Sequence, residues 1–102
     1  MDRELGGVGT KILFEDHRVR VWKLELAPGE RSSVHRHDVD HIQVKGDRVA
    51  VEPEPDTLGP YRDTFEAAVI PGMVTLVPKG GVETAVNTGS EPYYEIIVEL
   101  KT

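Results

Sequence analysis

The sequence predicts an all-β protein, and three observations carry that reading. Glycine or proline punctuates the chain about every eight to twelve residues. Between those marks apolar and polar residues alternate with the period of two that belongs to strands. No segment sustains a period of 3.6 residues over three turns.

Taken in order, the first expected strand is Lys11–Glu15. In residues 20–26, Arg20, Trp22, Leu24 and Leu26 share one face and Val21, Lys23 and Glu25 the other. Shorter strands are expected over residues 33–37, 40–45, 48–52, 62–70, Met73–Val77 and 82–87. The last strand, from Tyr93, sets an apolar face of Tyr94, Ile96, Val98 and Leu100 against Tyr93, Glu95, Ile97 and Glu99. Pro28-Gly29 and Pro71-Gly72 each pair a fixed φ with a residue free to take φ above zero, as a type II turn requires. Lys45-Gly46-Asp47 reads as a tight hairpin. The proline-rich stretch 52–60 reads as the one long loop, its prolines blocking pairing with a sheet edge. So many short strands in so short a chain suggest a closed barrel or jelly roll.

At 102 residues the chain is expected to form one domain, residues 1–102, with a modest core. It has no cysteine, which excludes disulfides, thiolate metal sites and cysteine nucleophiles. The formal net charge is −6, and Arg18, Arg20, Arg31 and Arg36 are dispersed among acidic residues. Such a surface repels a phosphate backbone, so nucleic acid is not an expected partner. Residues 1–11 lack the basic start and apolar run of a signal peptide, and the most apolar stretch, 67–77, is broken by Pro71 and Gly72. No membrane partner is expected, and a cytoplasmic location is the default.

The chemistry is concentrated in the histidines. Three of the four, His35, His37 and His41, lie within seven residues. Residues i and i+2 of a strand point to one side, so His35 and His37 can meet one ion together. Asp38-Val39-Asp40 can turn the chain so that His41 arrives from the adjacent strand. Imidazole suits zinc, iron, nickel and copper, and with a carboxylate it accommodates manganese. His17 sits in a turn and reads as a surface residue.

At these residues the sequence resembles the cupins. That family carries a first motif G-x5-H-x-H-x3-4-E-x6-G and a second, G-x5-P-x-G-x2-H-x3-N. Gly29, His35, His37 and His41 follow the first spacing, and Gly72, Pro78, Gly80 and Asn87 follow the second. Two ligand types are exchanged: His41 stands where the family usually has glutamate, and Glu83 where it has histidine. The resemblance therefore implies a cupin double-stranded β-helix, or jelly-roll barrel, with one divalent ion (Fe, Mn, Zn or Ni) on His35, His37, His41 and Glu83. It also implies that Glu83 points inward beside Ala85 and Asn87. Four residues rather than six separate His41 from Gly46, so that hairpin is shorter than the family's.

Gln43 and Asn87 are further candidates for the pocket, and Asn87 also suits a turn cap. Arg20 and Arg62 are candidates for contact with an anionic substrate, although solvent-exposed arginine is the commoner case. Trp22 is expected in the core. Two functional readings stay open. One is a metal-dependent enzyme on a small molecule, either a dioxygenase or an isomerase or lyase on an enolisable or carboxylate substrate. The other is a non-catalytic metal- or ligand-binding module. Resemblance to small cupins also implies a homodimer, with the N-terminal strand a candidate for pairing with a partner's sheet.

Overall fold

The computed structural model describes residues 5–45, 49–68, 70 and 72–101; the side chains of residues 41–45 and 73 lie outside that description. Among the described residues nine strands make up the regular structure: β1 (Lys11–Glu15), β2 (Val19–Leu26), β3 (His35–Arg36), β4 (His41–Lys45), β5 (Val49–Pro53), β6 (Phe65–Ala67), β7 (Met73–Val77), β8 (Val82–Val86) and β9 (Tyr93–Leu100). They form a five-stranded sheet, β1-β2-β9-β4-β7, and a four-stranded sheet, β3-β8-β5-β6. Every pairing is antiparallel. No helix among the described residues is long and apolar enough to cross a membrane.

The turn chemistry acts where the sequence places it. Gly29 takes φ 81° and Gly72 φ 85°, values an L side chain rarely adopts. Glu30 N–H donates to Ala27 O at 2.9 Å and closes the turn over Pro28-Gly29. The hairpin expected at Lys45-Gly46-Asp47 extends outside the described residues. Two strands are shorter than expected. The pairing of β3 with β8 is irregular at its start, where Ser32 Oγ accepts from Ala85 N–H. In the expected 62–70 strand only Phe65–Ala67 finds a partner, β5.

The core lies between the sheets: Leu24, Leu26, Tyr93 and Ile97 from one, Val49 and Ala85 from the other, closed by Val8. Trp22 packs against this cluster, as expected. Leu24 is 3% exposed and Ile97 1%, so each gives up nearly all its apolar surface, worth about 1.5–3 kcal/mol per side chain. On β9 the side turned inward is Tyr93, Glu95, Ile97 and Glu99, all buried. Tyr94 is exposed, and Ile96, Val98 and Leu100 are only part-buried. The strand's apolar face is thus its outer face.

Candidate metal centre

His35 and Glu83 face each other across the β3–β8 pair as direct register partners. His37 is held one step further on. Its N–H donates to Gly81 O and its carbonyl accepts from Gly80 N–H, each at 2.8 Å. Period two then turns His35 and His37 to one side, and their rings meet edge to face with centroids 4.9 Å apart. One ligand-type atom from each of His35, His37 and Glu83 lies within 4.8 Å of the others. His37 Nε2 and Glu83 Oε2 are 3.9 Å apart. Glu83 points inward with a side chain only 12% exposed, and Ala85 lines the same cavity.

Protonation favours coordination. His35 Nδ1 lies 2.9 Å from Ser33 O. A carbonyl only accepts, so Nδ1 carries the hydrogen and Nε2 keeps its lone pair for a ligand. Burial lowers the His35 pKa from its ordinary value, outweighing the Ser33 carbonyl and the charge of Glu99, which raise it. The ring is thereby kept neutral, the form a metal needs.

Two imidazoles and one carboxylate on one side of a cavity are the donor set of facial metal sites with open positions. Donor atoms about 2.1 Å from a common ion in a facial arrangement stand about 3.0 Å apart, so side-chain rotations that draw these atoms together by about 1–2 Å bring the three onto one ion. The three residues fit a divalent cation.

The remaining sequence candidates fall out differently. His41 is on β4, opposite Val77 and Glu99 in the five-stranded sheet. It therefore comes from the facing sheet and not from a strand beside β3, because residues 38–40 cross from one sheet to the other. The side chains of His41 and Gln43 lie outside the described residues. Asn87 does not line the cavity among the described residues. Its Nδ2 donates to Leu26 O and Glu91 O, and its Oδ1 accepts from Gly89 N–H. These bonds close the β8–β9 turn, the capping role that the sequence also suits. Arg62 donates to Thr57 O within the long loop. His17 is exposed.

Two carboxylates were not singled out by the sequence. Glu95 lines the cavity from the five-stranded sheet and accepts from Tyr93 O–H. Burial and the Glu95 charge together drive the Tyr93 pKa far upward, so the phenol stays a donor. Glu99 accepts from Arg20 Nε at 2.8 Å and from Trp22 Nε1 at 2.5 Å. Arg20 thus serves an internal carboxylate. The signal for both residues was the β9 alternation, which put Glu95 and Glu99 on the side of Tyr93 and Ile97. Tyr61, just before β6, and Phe65, on β6, stand with ring centroids 4.8 Å apart and line the cavity. The space open to the centre of a water-sized molecule is about 20 Å³, enough for a water and too little for an organic molecule.

The fold is the cupin double-stranded β-helix. A cupin domain from Bordetella pertussis superposes over 100% of both chains with a TM-score of 0.78 at 19% identity. A sugar phosphate isomerase of the cupin superfamily from Silicibacter pomeroyi aligns at TM-score 0.57 and 21% identity, covering 83% of this chain and 52% of the other. A polyketide cyclase from Streptomyces resistomycificus aligns at 0.59 and 16%, covering 85% and 57%. The chain thus spans little more than half the length of those two enzymes, and at these identities the likeness is one of fold. Neither a protein-family model nor a curated protein matches the chain.

Proposed function

We propose that this protein is a divalent-metal enzyme of the isomerase or lyase type, acting on a small enolisable or carboxylate substrate. His35, His37 and Glu83 hold the ion, with His41 the fourth ligand that its motif position suggests. The observation that carries the reading is the convergence of three ligand-type side chains within 4.8 Å inside a buried cavity. A barrel that needed only a core would fill that volume with aliphatic groups. Iron, manganese, zinc and nickel all suit the donors.

When bound, such an ion acts as a Lewis acid that polarises a substrate oxygen. The chain's own residues supply the rest. Ser33 O fixes the tautomer of His35. Glu95, on the facing sheet and held by Tyr93 O–H, is placed to take and return a proton. Tyr61 and Phe65 give the cavity wall an aromatic surface for a substrate's apolar part. Substrate entry requires the lining side chains, Tyr61 and Phe65 among them, to move, given the space inside. The isomerase and the cyclase among the similar structures make this reaction class a reasonable one for the fold. If the ion is iron, dioxygen activation at the open positions is the second branch of the same reading.

The small space inside favours one other reading, a non-catalytic module in which the ion stabilises the barrel or reports a ligand. Elemental analysis of protein purified without chelator comes first, and about one divalent ion per chain is expected. Absence of metal after growth in supplemented medium, with no uptake on dialysis, would sink both readings. The loaded protein is then offered enolisable and catecholic acids, following solvent deuterium exchange and oxygen uptake. Exchange without uptake supports the isomerase or lyase. Uptake selects the oxygenase branch, and metal without turnover but with ligand-dependent melting selects the binding module.

A further inference from the structure

Residues 5–10 precede the first strand and run as a strap across the seam between the two sheets. Gly6 N–H donates to Val34 O at 2.9 Å, just before β3, and Thr10 N–H donates to Lys23 O at 2.7 Å, on β2. One end is thus tied beside the four-stranded sheet and the other to the five-stranded sheet. Thr10 Oγ1 reinforces the second tie by accepting from Glu25 N–H at 2.9 Å. Between the ties the backbone lies directly on Trp22. A Cβ at Gly7 would stand 2.7 Å from Trp22 Cη2, and one at Gly9 2.7 Å from Trp22 Cβ, so neither position has room for a side chain.

Val8, between those two glycines, is the strap's one buried residue. It is 5% exposed, whereas Gly6, Gly7 and Thr10 are exposed. Its side chain joins the cluster of Leu24, Ala85 and Ile97 and lines the same cavity as His35, His37 and Glu83. A single valine therefore seats the strap. Glycine loses more conformational freedom on ordering than any other residue, and three of them must be ordered before Val8 can seat. Segments with few buried contacts and exposed backbone open locally, far more often than the whole molecule unfolds. The cavity holds a water and nothing larger, so an organic substrate requires an opening of this kind.

We propose that the strap is the gate of the metal cavity and Val8 its stopper: lifting residues 6–9 off Trp22 opens a side entrance next to His35. The gate rests on the metal-enzyme reading above and adds the route by which a substrate reaches the ion. The competing route runs through the aromatic wall of Tyr61 and Phe65. Topology favours the strap. It precedes β1 and can lift while β1 keeps its register on β2. Phe65, by contrast, is the register partner of Val51, so displacing its backbone breaks the edge of the four-stranded sheet. Position favours the strap as well. Val34 O receives Gly6 N–H, and the neighbouring Ser33 O holds His35 Nδ1 at 2.9 Å, so the entrance adjoins a metal ligand.

Two measurements test the gate, the first on metal-free protein so that it stands apart from the metal reading. Methyl relaxation dispersion should show microsecond-to-millisecond exchange at Val8 and none at Leu24 or Ile97. A static Val8, or exchange shared with Leu24 and Ile97 at one rate, overturns the proposal. The second measurement follows uptake of cobalt(II) and its release to a chelator. A gate limits both directions alike. Val8→Ala shortens the stopper and should speed both rates about tenfold, with Kd kept within about twofold. Gly7→Ala forces the strap off Trp22 and should act in the same direction; if it fails to fold, Val8→Ala decides. Leu58→Ala, on the long loop at a position 79% exposed, should change neither rate. Acceleration by Phe65→Ala but not by Val8→Ala would place the entrance at the aromatic wall and overturn the proposal. Weaker binding in Val8→Ala without faster uptake would overturn it as well, because Val8 would then only support the site. A protein that binds no cobalt sinks the metal reading, and the dispersion result then decides the gate by itself.

Discussion

The two faces of the five-stranded sheet use the same alternation to opposite ends. Along β9 the inner side reads Tyr93, Glu95, Ile97, Glu99 and the outer side Tyr94, Ile96, Val98, Leu100. The inner side buries carboxylates and provides them with donors: Tyr93 for Glu95, and Arg20 with Trp22 for Glu99. The outer side leaves hydrocarbon part-exposed and carries no carboxylate on this strand. A buried ionised carboxylate costs several kcal/mol unless it is paired, whereas exposed apolar surface costs about 25 cal/mol per Å². The inner face therefore takes its pattern from the carboxylates it buries and pairs, which the outer face lacks.

The largest contrast concerns folding. Ile97→Ala, at a position 1% exposed, should cost about 2–5 kcal/mol in urea unfolding. Val74→Thr on the outer face, at a position 60% exposed, should stay within about 0.5 kcal/mol. Equal losses at the two positions would mean that the outer face is part of the monomer's own core.

Metal binding should separate the faces next. His37→Ala should weaken binding at least about 100-fold, roughly 2.7 kcal/mol, with the sedimenting mass unchanged. Leu76→Glu, on the outer face, should leave metal affinity within about twofold. Calorimetric titration of both variants checks this, and a comparable loss of metal affinity in Leu76→Glu would break the division.

A smaller effect follows from pH. The folded His35 pKa is lowered, so below the ordinary value near 6.5 the unfolded chain binds a proton that the folded chain refuses. The resulting stability is fully present above that value and is lost as pH falls toward the lowered one. The slope is at most about 1.4 kcal/mol per pH unit for this one group. Denaturation of the metal-free protein from pH 7 to pH 5 measures it, and metal affinity should fall in the same direction as protons compete for the imidazole. A metal-free protein equally stable at both ends would remove His35 from this role.

The smallest expected effect is at Gly81. A Cβ there would meet Glu83 Oε1 at 2.8 Å and His37 Cδ2 at 3.7 Å. The carboxylate is the end of a flexible chain and can yield, so Gly81→Ala should weaken metal binding several-fold, by less than about 1.4 kcal/mol, with little loss of stability. Unchanged affinity would show that Glu83 has slack at the site.

Period two and the motif spacing were enough to bring out His35, His37 and Glu83, because those residues sit on paired strands where local geometry fixes the aim. The turns at Gly29 and Gly72 were legible for the same reason: each needs only its own dipeptide. Alternation also separated the two faces of β9, but it cannot say which is inward. Hydrophobicity points to Tyr94 and Ile96. The correct side is set by Arg20, 79 residues away, whose pairing with Glu99 makes burial of that carboxylate tolerable. Assigning His41 to the facing sheet likewise depended on β4 pairing with β7 and β9, contacts distant in sequence.

Trp22 is the chain's only tryptophan, and its place in the inner row gives the barrel an optical reporter. The indole N–H is bonded to Glu99, the Arg20 guanidinium stands 5.8 Å from the ring centroid, and the Glu99 charge acts on His35. Indole emission responds to such nearby charges. A cation arriving at His35 would alter the field around this one fluorophore, so site occupancy should be readable from the native protein's emission without a label.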